Sequence, residues 1–252
     1  MNKLLLKLCL LLPIVAILSP LYVAWYYPKD EVHLDKAPIN SSDQASLQRG
    51  AKYFVNYCLN CHSAQAMRYN RLTEIGLTED EIKANLMFPA EKIGQTMQVG
   101  MKPADAKAWF GVAPPDLSVE ERVRGADWLY TYLRGFYHDE TRPSGWNNTL
   151  FPNVAMPHVL WELQGEQQLK ITKTKGADGT ETETRELTLV KQGTMTPGEY
   201  DTMVADLVNY LAFMAEPGKA TRHNIGYMAL LALFLLFLLA YALKKEFWKD
   251  VH

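Results

Sequence analysis

Two cysteines three positions apart, followed at once by a histidine, are the residues best suited to do chemistry. They lie in the string Tyr57-Cys58-Leu59-Asn60-Cys61-His62-Ser63. Each thiol can add across one vinyl group of a porphyrin and the adjacent imidazole can then bind the iron, so the string is typical of a covalently attached c-type haem. A bare Cys-x-x-Cys could be half a zinc site or a redox pair. A four-thiolate zinc site is excluded, because the chain has only three cysteines and the third, Cys9, lies in an apolar stretch.

A c-type haem used for electron transfer usually takes a second axial ligand, most often a methionine sulfur. Of the ten methionines, Met156 lies between Pro152 and Pro157, far enough downstream for the chain to return over the distal face. Met156 is therefore the first candidate and Met101 the second, while His158 is a runner-up ligand of a different kind. Three further methionines lie in predicted loops or near element ends: Met67, Met97 and Met195.

A stiff apolar loop is predicted at residues 112–118, because the consecutive prolines Pro114 and Pro115 remove backbone donors and favour extended backbone. The loop could be a surface turn or a wall against a flat cofactor. Arg122 and Arg124 follow it. Either arginine could pair with a haem propionate, and a solvated surface charge is the alternative for both.

A helix opened by Ser41, with Gln44 three residues on, is predicted to deliver the cysteines to the haem edge. Its apolar positions recur at helical spacing up to Cys58, and Phe54 among them is as readily a core residue as a porphyrin contact. Capping boxes at Thr78 and Thr196 predict two more helices. The remaining predictions are a helix from Pro103 to Gly111, a helix over 126–137, the end of the Thr196 helix at Ala215, and an exposed β-hairpin over about 168–191.

Apolar stretches at both ends divide the chain into three parts. Residues 1–27 have the order of a secretory signal, yet they are long enough to be a retained N-terminal anchor. Residues 28–221 read as an exported globular domain with a net charge of −6, and residues 222–252 contain an uncharged membrane helix at 225–243. Lys244, Lys245 and Lys249 after it predict a cytoplasmic C-terminus.

Taken together, the motifs resemble the cytochrome c1 family, the haem-bearing subunit of the cytochrome bc1 complex, in its bacterial form. The resemblance runs from about residue 34 to the C-terminus. It rests on the haem string and on Ala113-Pro-Pro-Asp-Leu-Ser118, Arg122-x-Arg124, Phe151-Pro-Asn-Val-Ala-Met-Pro157, Leu207-Val-Asn-Tyr-Leu211, Ala215-Glu-Pro217 and Lys244-Lys-Glu-Phe-Trp-Lys249.

This resemblance implies a mainly α fold: a class I cytochrome c-like haem domain with a β-hairpin insertion and a C-terminal transmembrane helix. It implies thioether links at Cys58 and Cys61, His62 as proximal ligand and Met156 as distal ligand. It also places Pro115 against the haem and Arg124 on a propionate. The chain departs from some relatives at Trp109, where they carry an asparagine near the haem, and it lacks their extra cysteine pair near the hairpin.

The implied function is a one-electron relay in the bacterial inner membrane, with the haem domain on the periplasmic side. A Rieske iron–sulfur protein would supply the electron and a soluble or tethered c-type cytochrome would accept it. Quinol oxidation would belong to the cytochrome b subunit, so this chain would be a non-quinol-binding subunit of a quinol:cytochrome c oxidoreductase; no nucleic-acid partner is expected. Two alternatives stay open: an independent membrane-anchored shuttle feeding an oxidase, and a haem enzyme or gas sensor with an open distal site.

Overall fold

The computed structural model describes residues 33–175 and 181–249. The predicted signal or anchor at residues 1–27, the tip of the predicted hairpin and the last three residues lie outside these ranges. Residues from Leu34 onward cluster into one compact unit. Residues 33–40 carry no regular secondary structure.

Short helices and three two-stranded antiparallel sheets precede one long core helix and a long apolar helix. In chain order the elements are α1 (Gln44–Tyr53), a π-helical turn (Phe54–Cys58), β1 (Ala64–Arg68), a 3-10 helix (Tyr69–Ile75), α2 (Glu79–Asn85), β2 (Thr96–Met97), α3 (Pro103–Phe110), α4 (Glu120–Arg124), α5 (Ala126–Arg134), β3 (Phe136–His138), β4 (Trp146–Asn148), α6 (Trp161–Gln164), β5 (Gly165–Lys175), β6 (Glu181–Gln192), α7 (Pro197–Ala215) and α8 (Lys219–Phe247).

The packing of α1 on α7 forms the centre of the core. The apolar face predicted for α1 is buried, with Ala51 and Phe54 fully enclosed. Phe54 is a core residue whose ring meets the Tyr210 ring at a tilt, with 5.5 Å between centroids. The helix does not begin at Ser41 as predicted. Asp43 is its N-cap, because the Asp43 carboxylate accepts a hydrogen bond from the Ser46 amide at 3.0 Å.

Helix α7 begins where its sequence predicts. The Thr196 side chain accepts from the Glu199 amide, and the Glu199 carboxylate accepts in return from the Thr196 amide. The same reciprocal pair forms at Thr78 and Glu81 at the start of α2. Both capping-box predictions are confirmed. Helix α3 also ends as expected, at Gly111 in the left-handed conformation (φ 80°).

Helix α5 is shorter than the predicted 126–137. It ends at Arg134, and Phe136 begins β3, which pairs with β4 in the register Phe136–Asn148. The apolar spacing continues through Phe136, which is why the sequence pattern favoured a longer helix. The side chain is buried as that pattern requires, but it is buried from a strand.

Strands β5 and β6 pair antiparallel along their whole described length, with a bulge between Glu166 and Gln167. Oppositely charged residues face each other across the pair, including Glu166 and Lys191 with 2.7 Å between Oε1 and Nζ. The strands extend beyond the predicted residues 168–191 at both ends. Leu169 and Leu187 are half-buried, whereas Ile171 and Leu189 are exposed.

Helix α8 contains the apolar segment predicted at 225–243. Among the described residues, Thr221–Phe247 is the one helical stretch whose length and mean hydropathy of 2.4 would suit a bilayer crossing. Its large apolar side chains are exposed, from Ile225 to Trp248. An exposed apolar helix of this length needs a non-aqueous environment to cover it.

Candidate haem site

The haem string follows directly from α1 and closes into a turn. The π-helical turn ends at Cys58, and the Cys58 carbonyl accepts hydrogen bonds from the Cys61 amide at 3.0 Å and the His62 amide at 2.8 Å. Both thiols are free and partly exposed. Burial raises the pKa of the Cys58 thiol to about 12 and also raises the pKa of Cys61, so both remain protonated thiols before any bond to a cofactor forms.

The His62 ring is oriented by the proline loop. Its Nδ1 lies 2.8 Å from the Pro115 carbonyl oxygen, an interaction that requires Nδ1 to carry the hydrogen. The other ring nitrogen, Nε2, is thereby left with a lone pair, which is the arrangement found in metal-binding histidines. Burial lowers the pKa of His62 and favours the neutral ring that can bind iron.

The loop at residues 113–117 has no regular secondary structure, as its prolines predict, and it is held against the segment after the haem string. The Leu117 amide donates to the Ser63 carbonyl at 2.9 Å. The Asp116 carboxylate accepts from the amides of Gln65 at 2.8 Å and Ser118 at 2.9 Å. These bonds fix the position of the Pro115 carbonyl relative to His62. An aspartate whose side chain accepts from the backbone two residues later is a known turn pattern, so Asp116 was a sequence signal for this turn.

Met156 is partly buried, and its sulfur is engaged by one side chain. The Tyr132 hydroxyl donates to Met156 Sδ at 3.4 Å. Burial raises the pKa of Tyr132, so this hydroxyl keeps its proton at physiological pH. No local pattern signals this contact, because the two residues lie 24 positions apart in the chain.

Two buried asparagines shape the loop that leads to Met156. The Asn148 side-chain oxygen accepts from the amides of Leu150 at 2.9 Å and Phe151 at 3.1 Å. The Asn147 side-chain oxygen accepts from the Asn153 amide at 2.8 Å. Asn153 has a φ of 64°, a conformation that asparagine tolerates better than most residues. Sequence reasoning missed both asparagines, although their pairing inside a proline- and glycine-rich loop was a signal for side-chain to backbone bonds.

The other candidates for the distal ligand differ in their burial and position. Met67 and Met97 lie near the ends of β1 and β2, as predicted, but they are core residues, 1% and 0% exposed. Met97 Sδ accepts from the Tyr210 hydroxyl at 3.7 Å within the core. Met101 is partly buried just before α3 and remains the second candidate. His158, the runner-up of a different kind, is 3% exposed, and burial lowers its pKa to about 4.

The two arginines have different surroundings. The Arg124 guanidinium lies over the Trp128 ring, 4.8 Å from its centroid, and its Nε is 3.3 Å from Glu120 Oε1. Arg122 faces Glu216 at 3.6 Å, with 56% of its side chain exposed. A guanidinium over an aromatic face keeps its remaining N–H donors available at the edge of its plane. Arg124 is therefore the better placed of the two to receive a further anion.

These side chains fit a haem bound through two thioethers and one imidazole. Across residues 33–175 and 181–249, no group of three or more His, Cys, Asp or Glu side chains is arranged to hold a metal ion directly. His62 instead presents one free ring nitrogen next to two unpaired thiols. A single imidazole would suit an iron whose other ligands come mainly from a macrocycle.

Comparison with known proteins gives a consistent assignment. The model of the cytochrome C1 family matches residues 34–251. A protein of Allochromatium vinosum named cytochrome c1 is 52% identical over 221 residues, covering 87% of this chain and 90% of the relative. A protein of Nitrosomonas europaea named ammonia monooxygenase gamma subunit is also 52% identical, over 95% of this chain and 97% of the relative. The mitochondrial cytochrome c1 heme protein of Neurospora crassa is 28% identical, over 90% and 74%.

The family match spans the haem string, the proline loop, the Met156 loop and α8, which are the segments that the geometry joins or the sequence singled out. The chain therefore belongs to the cytochrome c1 family, whose members carry a covalently attached haem c.

Proposed function

We propose that the protein is the electron-transfer subunit of a bacterial cytochrome bc1 complex, passing electrons from a Rieske iron–sulfur protein to a c-type cytochrome. The observation that carries the proposal is the family match over residues 34–251, together with 52% identity to a bacterial cytochrome c1. The match includes both the haem string and the apolar α8, so it covers the redox site and the membrane anchor at once.

Four residues would hold the cofactor. Cys58 and Cys61 form the thioether links, His62 is the proximal ligand and Met156 is the distal ligand. When bound, the haem supplies a one-electron couple between ferric and ferrous iron. The ordering of the His62 ring by Pro115 supports this assignment, as does the partly buried Met156 sulfur. If His62 and Met156 both bound the iron, no position would be left for a substrate, which disfavours a gas sensor or a haem enzyme.

Two more residues would set the haem environment. Pro115 lies against the haem face on the His62 side, which its carbonyl contact with the imidazole supports. Arg124 pairs with a propionate through the donors that its position over Trp128 leaves available. The fold is a class I cytochrome c-like haem domain, with the β5–β6 pair as an insertion that faces solvent along most of its length.

The haem domain lies on the periplasmic side of the inner membrane. Helix α8 crosses once, and Lys244, Lys245 and Lys249 keep its C-terminal end on the cytoplasmic side. Residues 1–27 direct export, as a cleaved signal or as a second anchor. Cytochrome b is the partner of α8, and the net charge of −6 on residues 28–221 suits a basic redox partner.

The 52% identity to a protein named ammonia monooxygenase gamma subunit favours a second candidate, in which this chain is a haem subunit of a monooxygenase complex. An independent membrane-anchored shuttle to an oxidase is the third. The haem ligands are the same in all three, so only the partners distinguish them.

Copurification separates these candidates. A C-terminal affinity tag on the full chain, gentle detergent extraction and mass spectrometry of the bound proteins identify the complex, and intact mass gives haem attachment. Cytochrome b and a Rieske protein in stoichiometric amounts are expected. Recovery of monooxygenase subunits instead, or of the chain alone, would contradict the proposal.

A further inference from the structure

An aromatic cluster surrounds the segment that carries Met156. The Tyr132 hydroxyl donates to Met156 Sδ at 3.4 Å. The Tyr132 ring in turn stacks on Trp128, with 4.9 Å between centroids and 12° between planes. Methionine has three rotatable side-chain bonds, so a sulfur that must stay in one place needs contacts that restrict them.

Phe136 connects Tyr132 to the other end of the segment. Its ring is 1% exposed and meets the Tyr132 ring edge-on at 5.1 Å. On its other side it stacks on His158, with 4.8 Å between centroids and only 3° between planes. Because His158 follows Met156 by two residues, the same phenylalanine contacts groups on both sides of the sulfur.

His158 is held by rings more than by hydrogen bonds. It is 3% exposed, and Trp146 meets its ring edge-on at 5.0 Å. His158 Nε2 and Gln164 Oε1 are both buried, and the Gln164 side chain raises the pKa of His158 against the larger lowering by burial. The imidazole packs against other rings through its face and its edge.

We infer that His158 is a positioning residue for Met156: its ring, stacked on Phe136, fixes the backbone two residues after the sulfur that the Tyr132 hydroxyl contacts. The inference rests on the proposed role of Met156 as distal ligand. His158 does not touch the iron in this scheme. Its effect is to keep the open form, with the sulfur away from the iron, sparsely populated.

The test uses the full, haem-loaded chain in detergent and three variants. His158→Ala removes the stacked ring, His158→Phe restores a ring without the nitrogens, and His138→Ala is the matched control. His138 also meets Trp146 edge-on, at 5.7 Å, but it is exposed, at the end of β3. The readouts are carbon monoxide binding to the ferrous protein and the sulfur-to-iron charge-transfer band of the ferric protein.

His158→Ala should raise the fraction that binds carbon monoxide about tenfold, since freeing the segment restores side-chain rotamers to Met156. His158→Phe and His138→Ala should stay closed, as in the parent. Equal carbon monoxide binding in His158→Ala and the parent would overturn the role of His158. A similar opening in His138→Ala would overturn it too, by showing that any loss near Trp146 suffices.

Tyr132→Phe keeps the ring contacts and removes only the hydroxyl, so it tests the sulfur contact without risking the fold. A shifted charge-transfer band and a lower midpoint potential are expected, because the O–H donor withdraws electron density from the sulfur. An unchanged band and potential would overturn the role of Tyr132. Met156→Leu separates the two proposals: if its iron stays closed, Met156 is not the ligand and the proposed ligand set fails first.

Discussion

Gly50→Ala should destabilise the protein more than alanine at the other helical glycines, Gly198 and Gly226. A Cβ at Gly50 would lie 2.1 Å from the Asp206 carbonyl oxygen and 2.7 Å from Tyr210 Cβ, whereas Cβ atoms essentially never approach closer than 3.0 Å. The Asp206 oxygen must therefore retreat by at least 0.9 Å, the difference between those limits. That oxygen belongs to the backbone of α7, so the two helices have to separate.

The cost follows from what the separation breaks. Gaps approaching 1 Å forfeit a quarter to a half of the dispersion energy of the atoms that line them, and overpacking of a core costs about 1–3 kcal/mol. The Arg49–Asp206 ion pair, with N–O distances of 2.6 and 3.0 Å, spans the same interface. We expect a loss of about 3 kcal/mol from the free energy of unfolding, a large part of a typical total.

Guanidinium unfolding of the haem-loaded full chain in detergent, followed by circular dichroism, measures this loss. Gly198→Ala is the control, because Gly198 is exposed in the first turn of α7 and a Cβ there meets nothing within 4 Å. It should be neutral or stabilise by about 0.5 kcal/mol. A Gly50→Ala protein as stable as the Gly198→Ala protein would refute the close approach of α1 to α7.

Three further changes test the site and the anchor. Met156→Leu should leave the haem covalently attached, lower its midpoint potential and admit carbon monoxide; a wild-type spectrum would transfer the ligand role to Met101. Arg124→Gln should lower the free energy of unfolding by about 2 kcal/mol, because it leaves a propionate unpaired. Arg122→Gln should lower it by at most about 1 kcal/mol, because Arg122 loses only a surface ion pair with Glu216. Equal losses would remove the distinction between the two arginines. Truncation after Gly218 should yield a soluble, haem-loaded domain that no longer copurifies with cytochrome b, and stoichiometric recovery would place the docking energy in that domain instead.

Local signals predicted the elements whose stabilising groups lie within four residues of each other. The capping boxes at Thr78 and Thr196 are such cases, since each hydrogen bond is decided by a short stretch of chain. The start of α1 was misplaced because Ser41 and Asp43 both can cap, and only the geometry shows that Asp43 does. The predicted end of α5 was wrong because Phe136 pairs with Asn148, a contact between residues distant in sequence that a local pattern does not show.

The chemistry of the site was more predictable than its support. Thioether formation fixes residue type and spacing, so Cys58, Cys61 and His62 could be named from sequence. The Tyr132 hydroxyl and the Asn147 and Asn148 side chains act on residues that the fold brings near them. Their roles depend on tertiary placement, which no local pattern encodes.

The central claim, electron transfer within a quinol-oxidising complex, is tested most directly by the reduction of the haem by quinol. The complex purified through this chain is mixed with a quinol, and haem absorbance is followed with the Rieske protein present and after its removal. Rapid reduction that is lost without the Rieske protein is the predicted result. A haem that stays oxidised in the intact complex, or that quinol reduces equally fast without the Rieske protein, would contradict the account.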